Sequence, residues 1–487
     1  MRRVHKSRES TQLRERRLFR GVSFAVAAGL LLACAACQHV DRLPIDAAAN
    51  AGRLASRSLA DPAVLEVLAR HDLPVGADAA WSLDHLTLAA WTLRTDLAVA
   101  RAEVAAARAA QEIAGQHANP TVSTTTEKVT ESDAEHPWVV GAALALTLEL
   151  GGKRDIREQR AAAQTAGLEW GFGEALWNAR AEVRAALLDM AFAEQLAALD
   201  EEETTLTRDF LAWVEARLAR GGATTPERLA ALQAANESSS RRALDAAALA
   251  SARATLAAAV GVSSEELAAI RPAPPSLGDL PELGAADVAR ARDLALVNRL
   301  DVRHALVDYE VAEQNLREAV ASQYPDLTLA PGYLLDQDQH KITFALDLPV
   351  PLNHGAKASI RRAVADRAVA AAKFDEVQAA ALAAIDVGFA QYQASRGALA
   401  AAEQAEAAAA EAAVSLERRL AAGGADRGEL LASRIAVVGL KRSALDARRI
   451  ALDATTALEN GIERPLFPES SIETPAEIGP LLVGAGQ

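Results

Sequence analysis

The sequence predicts a mainly α-helical fold with a small β part, written twice along one chain. Three observations predict it. Apolar residues make up 51% of the 487 positions but aromatic residues only 4%, so Ala and Leu, which favour helices, dominate the apolar share. Two short segments alternate with the period of a strand. The order of elements around these segments recurs roughly two hundred residues later, as in a duplication.

The segment from Trp138 to Leu150 is the clearest strand. One of its faces carries only apolar side chains, namely Val140, Ala142, Leu144, Leu146, Leu148 and Leu150. The other face is mostly small or polar: Val139, Gly141, Ala143, Ala145, Thr147 and Glu149. The second copy alternates in the same way, with Ile342, Phe344, Leu346, Leu348 and Val350 on its apolar face. One apolar face and one face that tolerates water are typical of a strand in a membrane barrel.

Each strong strand belongs to a longer series of elements. The first repeat covers 81–262, with a helix over 82–117, a weaker strand over 121–129, a loop over 130–137, the strong strand, and helices over 153–220 and 226–260. The second repeat covers 286–463, with a helix over 286–323, a strand over 327–334, a loop over 336–340, the strong strand, and helices over 356–422 and 427–460. A Pro-rich linker over 263–285 separates the repeats, and a tail over 464–487 follows them.

The N-terminus has the features of a bacterial signal peptide over 1–33. A basic stretch precedes the apolar run from Val22 to Ala33, which is too short for a transmembrane helix. The run ends in Leu31-Leu32-Ala33-Cys34, which resembles a lipobox, so Cys34 is the expected lipidated residue and Cys37 the alternative. A disulfide between the two is disfavoured, because a bond between cysteines this close in sequence would not stabilise a core. Residues 34–80 then form a lipidated N-terminal arm.

Four strands per chain cannot close a cylinder, although every backbone group that faces lipid must be paired. Three copies would supply roughly twelve strands, enough for a barrel with an aqueous lumen. We therefore expect a homotrimer whose β-barrel lies in membrane lipid. The helices are too long and polar to be membrane spans, since roughly 65 residues extend about 100 Å. We expect them to continue the barrel as an α-helical tunnel of coiled-coil hairpins.

Several motifs in this order resemble those of the TolC-type outer-membrane efflux family. Asn298-Arg299-Leu300-Asp301-Val302-Arg303-His304-Ala305 is similar to the family's Asn-Arg-Pro-Asp-Leu-x-x-Ala, with Leu300 in place of the proline. Tyr324-Pro325-Asp326-Leu327 and Leu348-Pro349-Val350-Pro351-Leu352 are similar to the segments at the start and end of its strands. The ends of the long helices, Arg217 to Gly221 and Arg419 to Gly423, resemble its paired tips. Glu149-Leu150-Gly151-Gly152-Lys153-Arg154 resembles the heavy-metal (CzcC-like) branch of cation-exporter lipoproteins.

This resemblance implies the outer-membrane channel of a tripartite efflux system, lipid-anchored in the outer membrane with its helices in the periplasm. Its partners would be outer-membrane lipid, a periplasmic adaptor protein and an inner-membrane RND-type pump, and its cargo heavy-metal cations. A drug or type I secretion conduit of the same family is one alternative. A structural coiled-coil envelope lipoprotein is the alternative of another class. The amphipathic strands disfavour that last reading, because a brace needs no membrane hairpins.

The candidate functional residues lie at the two helix tips: Gly221, Gly222, Glu227, Gly423, Gly424, Asp426 and Glu429. The glycines permit the positive φ that reverses one helix into the next. The resemblance implies that acidic side chains ring the closed periplasmic end of the tube. Thr224-x-x-Glu227 and Asp426-x-x-Glu429 are also capping boxes. We expect capping to be the main role, and an ion-selecting ring can coexist with it.

The chain offers no candidate catalytic, cofactor or metal site. It contains no Walker loop, no Gly-x-Ser-x-Gly and no zinc-protease His-Glu pair, and its nine histidines form no His-x-x-x-His pair. His85, His117 and His304 are expected to be ordinary helix positions. A net charge of −14 gives no support to nucleic-acid binding, which needs a basic face. We therefore expect neither an enzyme nor a nucleic-acid-binding protein.

Overall fold

The computed structural model describes residues 40–73, 80–131, 137–274, 280–350 and 355–466. The predicted signal peptide, Cys34, Cys37 and nearly all of the predicted tail lie outside these residues. Two compact units divide the chain after Ser56. The described part of the first unit contains one short helix, α1 (Ala47–Ala55), whose N-cap Asp46 accepts hydrogen bonds from two amides of its first turn.

The second unit contains both repeats. Before the first repeat lies α2 (Pro62–Arg70), and β1 (Ala80–Trp81) stands at its start. The first repeat continues with α3 (Leu83–Leu93), α4 (Thr95–Ala114), β2 (Thr121–Lys128), β3 (Trp138–Leu148), α5 (Lys153–Leu218) and α6 (Thr225–Val260). The linker holds α7 (Ser264–Ala268) and β4 (Arg271–Pro272). The second repeat consists of α8 (Ala285–Asn298), α9 (Leu300–Ala321), β5 (Leu327–Asp336), β6 (Gln339–Asp347), α10 (Gly355–Ala421) and α11 (Arg427–Ile462). The predicted duplication is therefore present, with a β-hairpin, a long helix and a return helix in each copy.

Each repeat opens with two helices where the periodicity predicts one. The backbone leaves the helical conformation at Arg94 (φ −68°, ψ 133°) and at Arg299 (φ −56°, ψ 144°). Neither break is marked by Pro or Gly, so the local sequence carries no stop signal. The predicted single helices over 82–117 and 286–323 are therefore wrong at these points, and the cause lies in long-range contacts described below.

The four long strands form one antiparallel sheet in the order β2-β3-β5-β6, so the two hairpins lie side by side. β5 and β6 are joined only by Gln337 and Asp338, which both have positive φ (47° and 72°). This is the geometry of a tight two-residue hairpin turn. The predicted loop over 336–340 is therefore too long, because neither turn residue is the glycine that usually marks such a turn.

Two segments before and between the repeats join the packed structure. Val64 and Leu68 of α2 are fully buried in the same apolar cluster as Leu97 of α4. This part of the predicted N-terminal arm thus contributes to the core. β1 and β4 pair in parallel, with Trp81 opposite Pro272. The Pro-rich linker is therefore tied to the start of α3, a contact that no local pattern predicted.

Each long helix forms an antiparallel hairpin with the helix that follows it. Ion pairs run along the first hairpin in reversed order: Glu215–Arg228, Glu203–Arg241 and Glu194–Arg253. The second hairpin has Glu417–Arg434 and Glu403–Arg448. Among helices in the described ranges, only α6 is long and apolar enough to cross a membrane by length and composition. Because α6 forms ion pairs with α5, we assign it to the helical hairpin and not to a membrane span.

Candidate conduit: the sheet, the helix tips and the repeat junctions

Three of the four strands in the sheet, β3, β5 and β6, share one apolar face. The register of the sheet places Leu146 opposite Leu329 and Leu329 opposite Leu346, so a row of leucines crosses three strands. Further along the same face, Tyr333 lies opposite Ile342. These side chains are open in the single chain, since Ile342 is 92% exposed and Leu346 56%. A contiguous apolar patch of this kind marks a surface that a partner or a lipid phase covers.

Among the residues that the structure describes, no further strand pairs with either edge of this sheet. β2 and β6 each hydrogen-bond to one neighbouring strand, and every residue of both strands is exposed. An open edge presents unpaired backbone amides and carbonyls along a whole strand. The four strands are thus part of a larger sheet, and further strands must pair with both edges to complete it.

The motif that resembles the heavy-metal branch forms the turn from β3 into α5. Its two glycines both have positive φ (75° and 70°). Glu149 accepts hydrogen bonds of 2.6 and 3.0 Å from Arg157, and Lys153 pairs at 2.8 Å with Asp326, just before β5. The motif therefore ties the first repeat to the second at the end of the sheet, which is a structural role.

The two helix tips share one backbone geometry. The first glycine of each tip has a positive φ, 73° at Gly221 and 76° at Gly423. The second glycine donates its N–H to a carbonyl in the last turn of the long helix, which closes a Schellman motif. These bonds are Gly222 to Arg217 at 2.9 Å and Gly424 to Arg419 at 2.8 Å. The left-handed conformation is thus needed only at the first glycine of each pair, whereas the sequence allowed it at both.

A capping box starts the helix after each tip. The Thr224 amide donates to Glu227 Oε2 at 2.6 Å, and the Glu227 amide donates to Thr224 Oγ1 at 3.4 Å. The Asp426 amide donates to Glu429 Oε2 at 3.2 Å, and the Glu429 amide donates to Asp426 Oδ1 at 2.9 Å. Hydrogen bonds from Thr224 also hold the pKa of Glu227 below its ordinary value. The capping geometry is present at both tips, and the acidic ring stays a prediction.

Arg94 and Arg299 explain the two helix breaks. Each guanidinium forms a 2.7 Å ion pair with the aspartate two residues later, Asp96 or Asp301. Each also donates Nη1 to a backbone carbonyl near the end of the last helix of its own repeat. These carbonyls belong to Ala259 (3.4 Å) in the first repeat and Gly461 in the second. The arginine thus clamps the end of each repeat to its beginning.

The clamp identifies a motif copy that the sequence analysis missed. The motif quoted above contains Arg299-Leu300-Asp301-Val302, and the first repeat contains Arg94-Thr95-Asp96-Leu97 at the equivalent break. The shared signal is an arginine, an aspartate two positions later and then an apolar residue. In the first repeat Glu182 of α5 supplies a second carboxylate, 2.5 Å from Arg94.

The helix ends held by these arginines differ between the repeats. The C-cap residue is Gly261 (φ 89°) after α6 and Glu463 (φ 50°) after α11, and both lie in the left-handed region. The Glu463 carboxylate accepts a 2.6 Å hydrogen bond from the Leu300 amide and lies 3.6 Å from Arg299. Burial raises the pKa of Glu463 to about 7, against the opposing effects of that amide and of Arg299. The second clamp therefore includes a buried titratable group.

Buried ion pairs also join α5 to α11. Arg180 and Arg184 each donate to one oxygen of Glu459, at 2.6 and 2.7 Å, and their side chains are at most 3% exposed. Arg442 of α11 pairs with Asp200 of α5. Removing one partner of a buried pair leaves an uncompensated charge. These pairs therefore disfavour any shift of one repeat along the other.

Within the described ranges, no group of three or more His, Cys, Asp or Glu residues is arranged to hold a metal ion. The three histidines discussed above have structural neighbours: His85 bonds to Ser82, His117 to Arg154, and His304 lies 4.0 Å from Glu174. A hydrogen bond to Glu174 raises the pKa of His304. His85 and His304 lie on helices, as predicted, whereas His117 is exposed and follows the end of α4 at Ala114, so its predicted helix position is wrong.

An open-edged apolar sheet joined to helices of 66 and 67 residues defines a membrane channel subunit with a helical extension. Residues 291–462, from α8 to the end of α11, match the family model described as Outer membrane efflux protein. The second repeat is therefore that of an outer membrane efflux protein, and the resemblance to the TolC-type family is confirmed. No curated protein matches the chain by sequence.

Solved structures share the fold across most of the chain. The outer membrane protein VceC from Vibrio cholerae is 20% identical, with a TM-score of 0.64 over 79% of this chain and 97% of that chain. CusC is 16% identical, with a TM-score of 0.64 over 81% and 96%. The MtrE outer membrane channel of Neisseria gonorrhoeae, in its open state, is 18% identical, with a TM-score of 0.64 over 80% and 91%. At these identities the likeness establishes the fold: a small β part that continues into a helical tunnel.

Proposed function

We propose that this chain is the outer-membrane conduit of a tripartite efflux system and works as a homotrimer. The observation that carries the proposal is the four-stranded sheet with an exposed apolar face and two open edges. Backbone groups in lipid must all be paired, so neighbouring copies must supply the missing strands. Three copies give about twelve strands, which is enough to surround an aqueous lumen.

The long helices support a role that crosses the periplasm. At 1.5 Å per residue, α5 and α10 each extend about 100 Å from the sheet. Their tips are the natural contact for a periplasmic adaptor protein, through which an inner-membrane RND-type pump would deliver cargo. This part of the proposal rests on the family resemblance of the tips.

Heavy-metal cations are the proposed cargo. The support is the resemblance of Glu149 to Arg154 to the heavy-metal branch, because the contacts of these residues are structural and say nothing of cargo. A drug or type I secretion conduit is the alternative within the class. The structural envelope lipoprotein is disfavoured by the exposed apolar sheet, which a brace between membranes does not need.

The oligomeric state and conduction test the conduit. The detergent-solubilised protein should have the mass of three chains and should form ion-conducting channels in planar bilayers. A monodisperse monomer that conducts ions would exclude the proposed barrel closure. For cargo, deletion of the gene should raise cellular accumulation of transition-metal cations. Raised accumulation of a fluorescent drug with unchanged metal content would favour the alternative.

The membrane anchor and orientation belong to the same proposal. Cys34, or Cys37 as the alternative, carries lipid at the mature N-terminus, which mass spectrometry of that peptide would identify. The loop over 130–137 and the turn at Gln337 and Asp338 face the outside of the cell. In an Asp338→Cys variant, the new thiol should react with an impermeant reagent added to whole cells. Reaction only after the periplasm has been opened would show that the orientation is the reverse of the one proposed.

A further inference from the structure

Gly428 occupies an unexpected place for a glycine. It lies in the first turn of α11, two residues after the N-cap Asp426, where glycine is a poor helix former. Its φ is not in the left-handed region, so the turn geometry does not demand it. Gly428 is buried although its neighbour Arg427 is exposed. The reason for the glycine must therefore lie in what packs against it.

The indole of Trp213, near the end of α5, fills the space beside Gly428. A Cβ added at Gly428 would lie 2.1 Å from Trp213 Cη2 and 2.5 Å from Cζ2 and Cζ3. Real Cβ atoms essentially never approach a neighbour this closely. The edge of the indole thus rests on the backbone of α11, and any side chain at position 428 would displace the ring.

Neighbours on its own helix hold the indole in this position. Phe210, Trp213 and Arg217 are spaced to lie on one face of α5. The Phe210 ring stacks on the indole with centroids 5.7 Å apart and planes at 26°. The Arg217 guanidinium lies 4.8 Å from the centroid of the indole ring. Aromatic stacking and cation–π attraction both favour this one orientation.

The contact is not a general requirement of a helical tip. Pro226 holds the position in the first tip that Gly428 holds in the second, since each is the second residue after its N-cap. Ser415 lies at the position of α10 that corresponds to Trp213 of α5. The ring therefore comes from the first hairpin and the socket from the second. This asymmetry points to a contact between hairpins.

We propose that Trp213 and Gly428 form a clasp that holds the tip of the second hairpin against the first and thereby keeps the end of the conduit shut. The statement about closure rests on the proposed conduit function. The clasp itself rests only on the packing of the indole against the helix. When the indole leaves its socket, the start of α11 separates from α5.

Trypsin provides a test that does not depend on conduction. The bond between Arg427 and Gly428 lies in the clasp, so cleavage there requires the start of α11 to come away. In the full-length solubilised protein, Trp213→Ala and Gly428→Ala should each accelerate this cut, measured by mass spectrometry. Trp213→Phe, which keeps a smaller ring, should accelerate it less. Gly439→Ala is the matched control, because a Cβ there meets nothing within 4 Å.

The double variant Trp213→Ala with Gly428→Ala separates the clasp from a simple effect on helix propensity. With the indole removed, the added Cβ has room, so the double variant should be cleaved no faster than Trp213→Ala alone. Slower cleavage in Gly428→Ala than in the unmodified protein would overturn the clasp, as would an unchanged rate in Trp213→Ala.

Currents in planar bilayers then test closure. Both single variants should conduct more than the unmodified protein in the absence of partners. Faster cleavage with unchanged closed-state current would overturn the claim that the clasp keeps the conduit shut. Faster cleavage in a protein that forms no channel at all would support the clasp and overturn the proposed conduit.

Discussion

Glu463 occupies the position at the end of the second repeat that Gly261 occupies at the end of the first, and both have a left-handed backbone. The two clamps therefore use different carboxylates. Arg299 faces Glu463, whose side chain is only 9% exposed, whereas Arg94 faces Glu182, which is 58% exposed. Loss of Arg299 should therefore destabilise the protein by a different amount than loss of Arg94.

Arg299→Ala should destabilise the protein more than Arg94→Ala. Above about pH 8, where Glu463 is ionised, removing Arg299 leaves a buried carboxylate without its cation, which costs about 3 kcal/mol or more. Removing Arg94 leaves a carboxylate that water can solvate, so the ion pair itself contributes about 1 kcal/mol or less. Chemical unfolding of both variants above about pH 8, where Glu463 is ionised, would measure the difference. Equal destabilisation would mean that the helix break, common to both sites, dominates the effect.

The stability of the second clamp should depend on pH. Because the pKa of Glu463 is raised from its ordinary value of 4.5 to about 7, the folded protein keeps this proton at pH values where the unfolded chain has lost it. The contribution is thus fully present below pH 4.5 and is lost as pH rises through about 7. Between about pH 5 and pH 8, the unfolding temperature of the unmodified protein should fall relative to that of Glu463→Gln. A constant difference would contradict this assignment.

Charge on the two faces of the sheet should have opposite outcomes. Leu346→Arg places a cation on the apolar face, which costs about 2–4 kcal/mol at the middle of a bilayer. Ala345→Arg changes the next residue, which points to the other face, and should be tolerated. Heat-resistant oligomers in outer-membrane fractions would report both results. Assembly of Leu346→Arg at the normal level would mean that this face does not meet lipid.

The tips should tolerate change at one glycine and not at the other. Gly423→Val forces a β-branched residue into a left-handed conformation, at about 1–3 kcal/mol, while Gly424→Val does not. The first variant should lose export with the oligomer still in the outer membrane, because the tip lies about 100 Å from the strands. Export assays combined with membrane fractionation would separate these outcomes. Equal loss of export in both variants would show that the left-handed backbone at Gly423 is not the cause of the loss.

The tip carboxylates can be tested apart from helix capping. Glu429→Gln keeps an oxygen that can accept from the Asp426 amide but removes the charge, and Glu227→Gln does the same at the first tip. If the carboxylates ring the lumen, both variants should lower the cation preference measured by reversal potentials. Unchanged selectivity in both would leave capping as their role.

Strand and tip positions were predictable because their signals are local. Alternation placed β3, and the Gly pairs with their capping boxes placed both helix reversals. The breaks at Arg94 and Arg299 were not predictable in this way, since the stop comes from carbonyls more than 160 positions away along the chain. The turn at Gln337 and Asp338 was missed because non-Gly residues adopt positive φ there.

The clasp between Trp213 and Gly428 shows the same limit. The sequence contains both residues, but their separation gives no sign that they touch. A glycine in the first turn of a helix was the available signal, since it sits where a better helix former would be expected. Such a residue is informative only when the packing partner is known.

The strand order β2-β3-β5-β6 also has a genetic consequence. Each copy contributes one unbroken arc, so the proposed ring contains a single kind of seam, between β6 of one subunit and β2 of the next. A substitution that damages either edge strand would recur at every seam and would also spoil the junction with an intact subunit. Such alleles are expected to be dominant when they are co-expressed with the normal gene. A tip variant, in contrast, leaves the seam intact, so its subunits would still assemble into mixed rings with normal subunits.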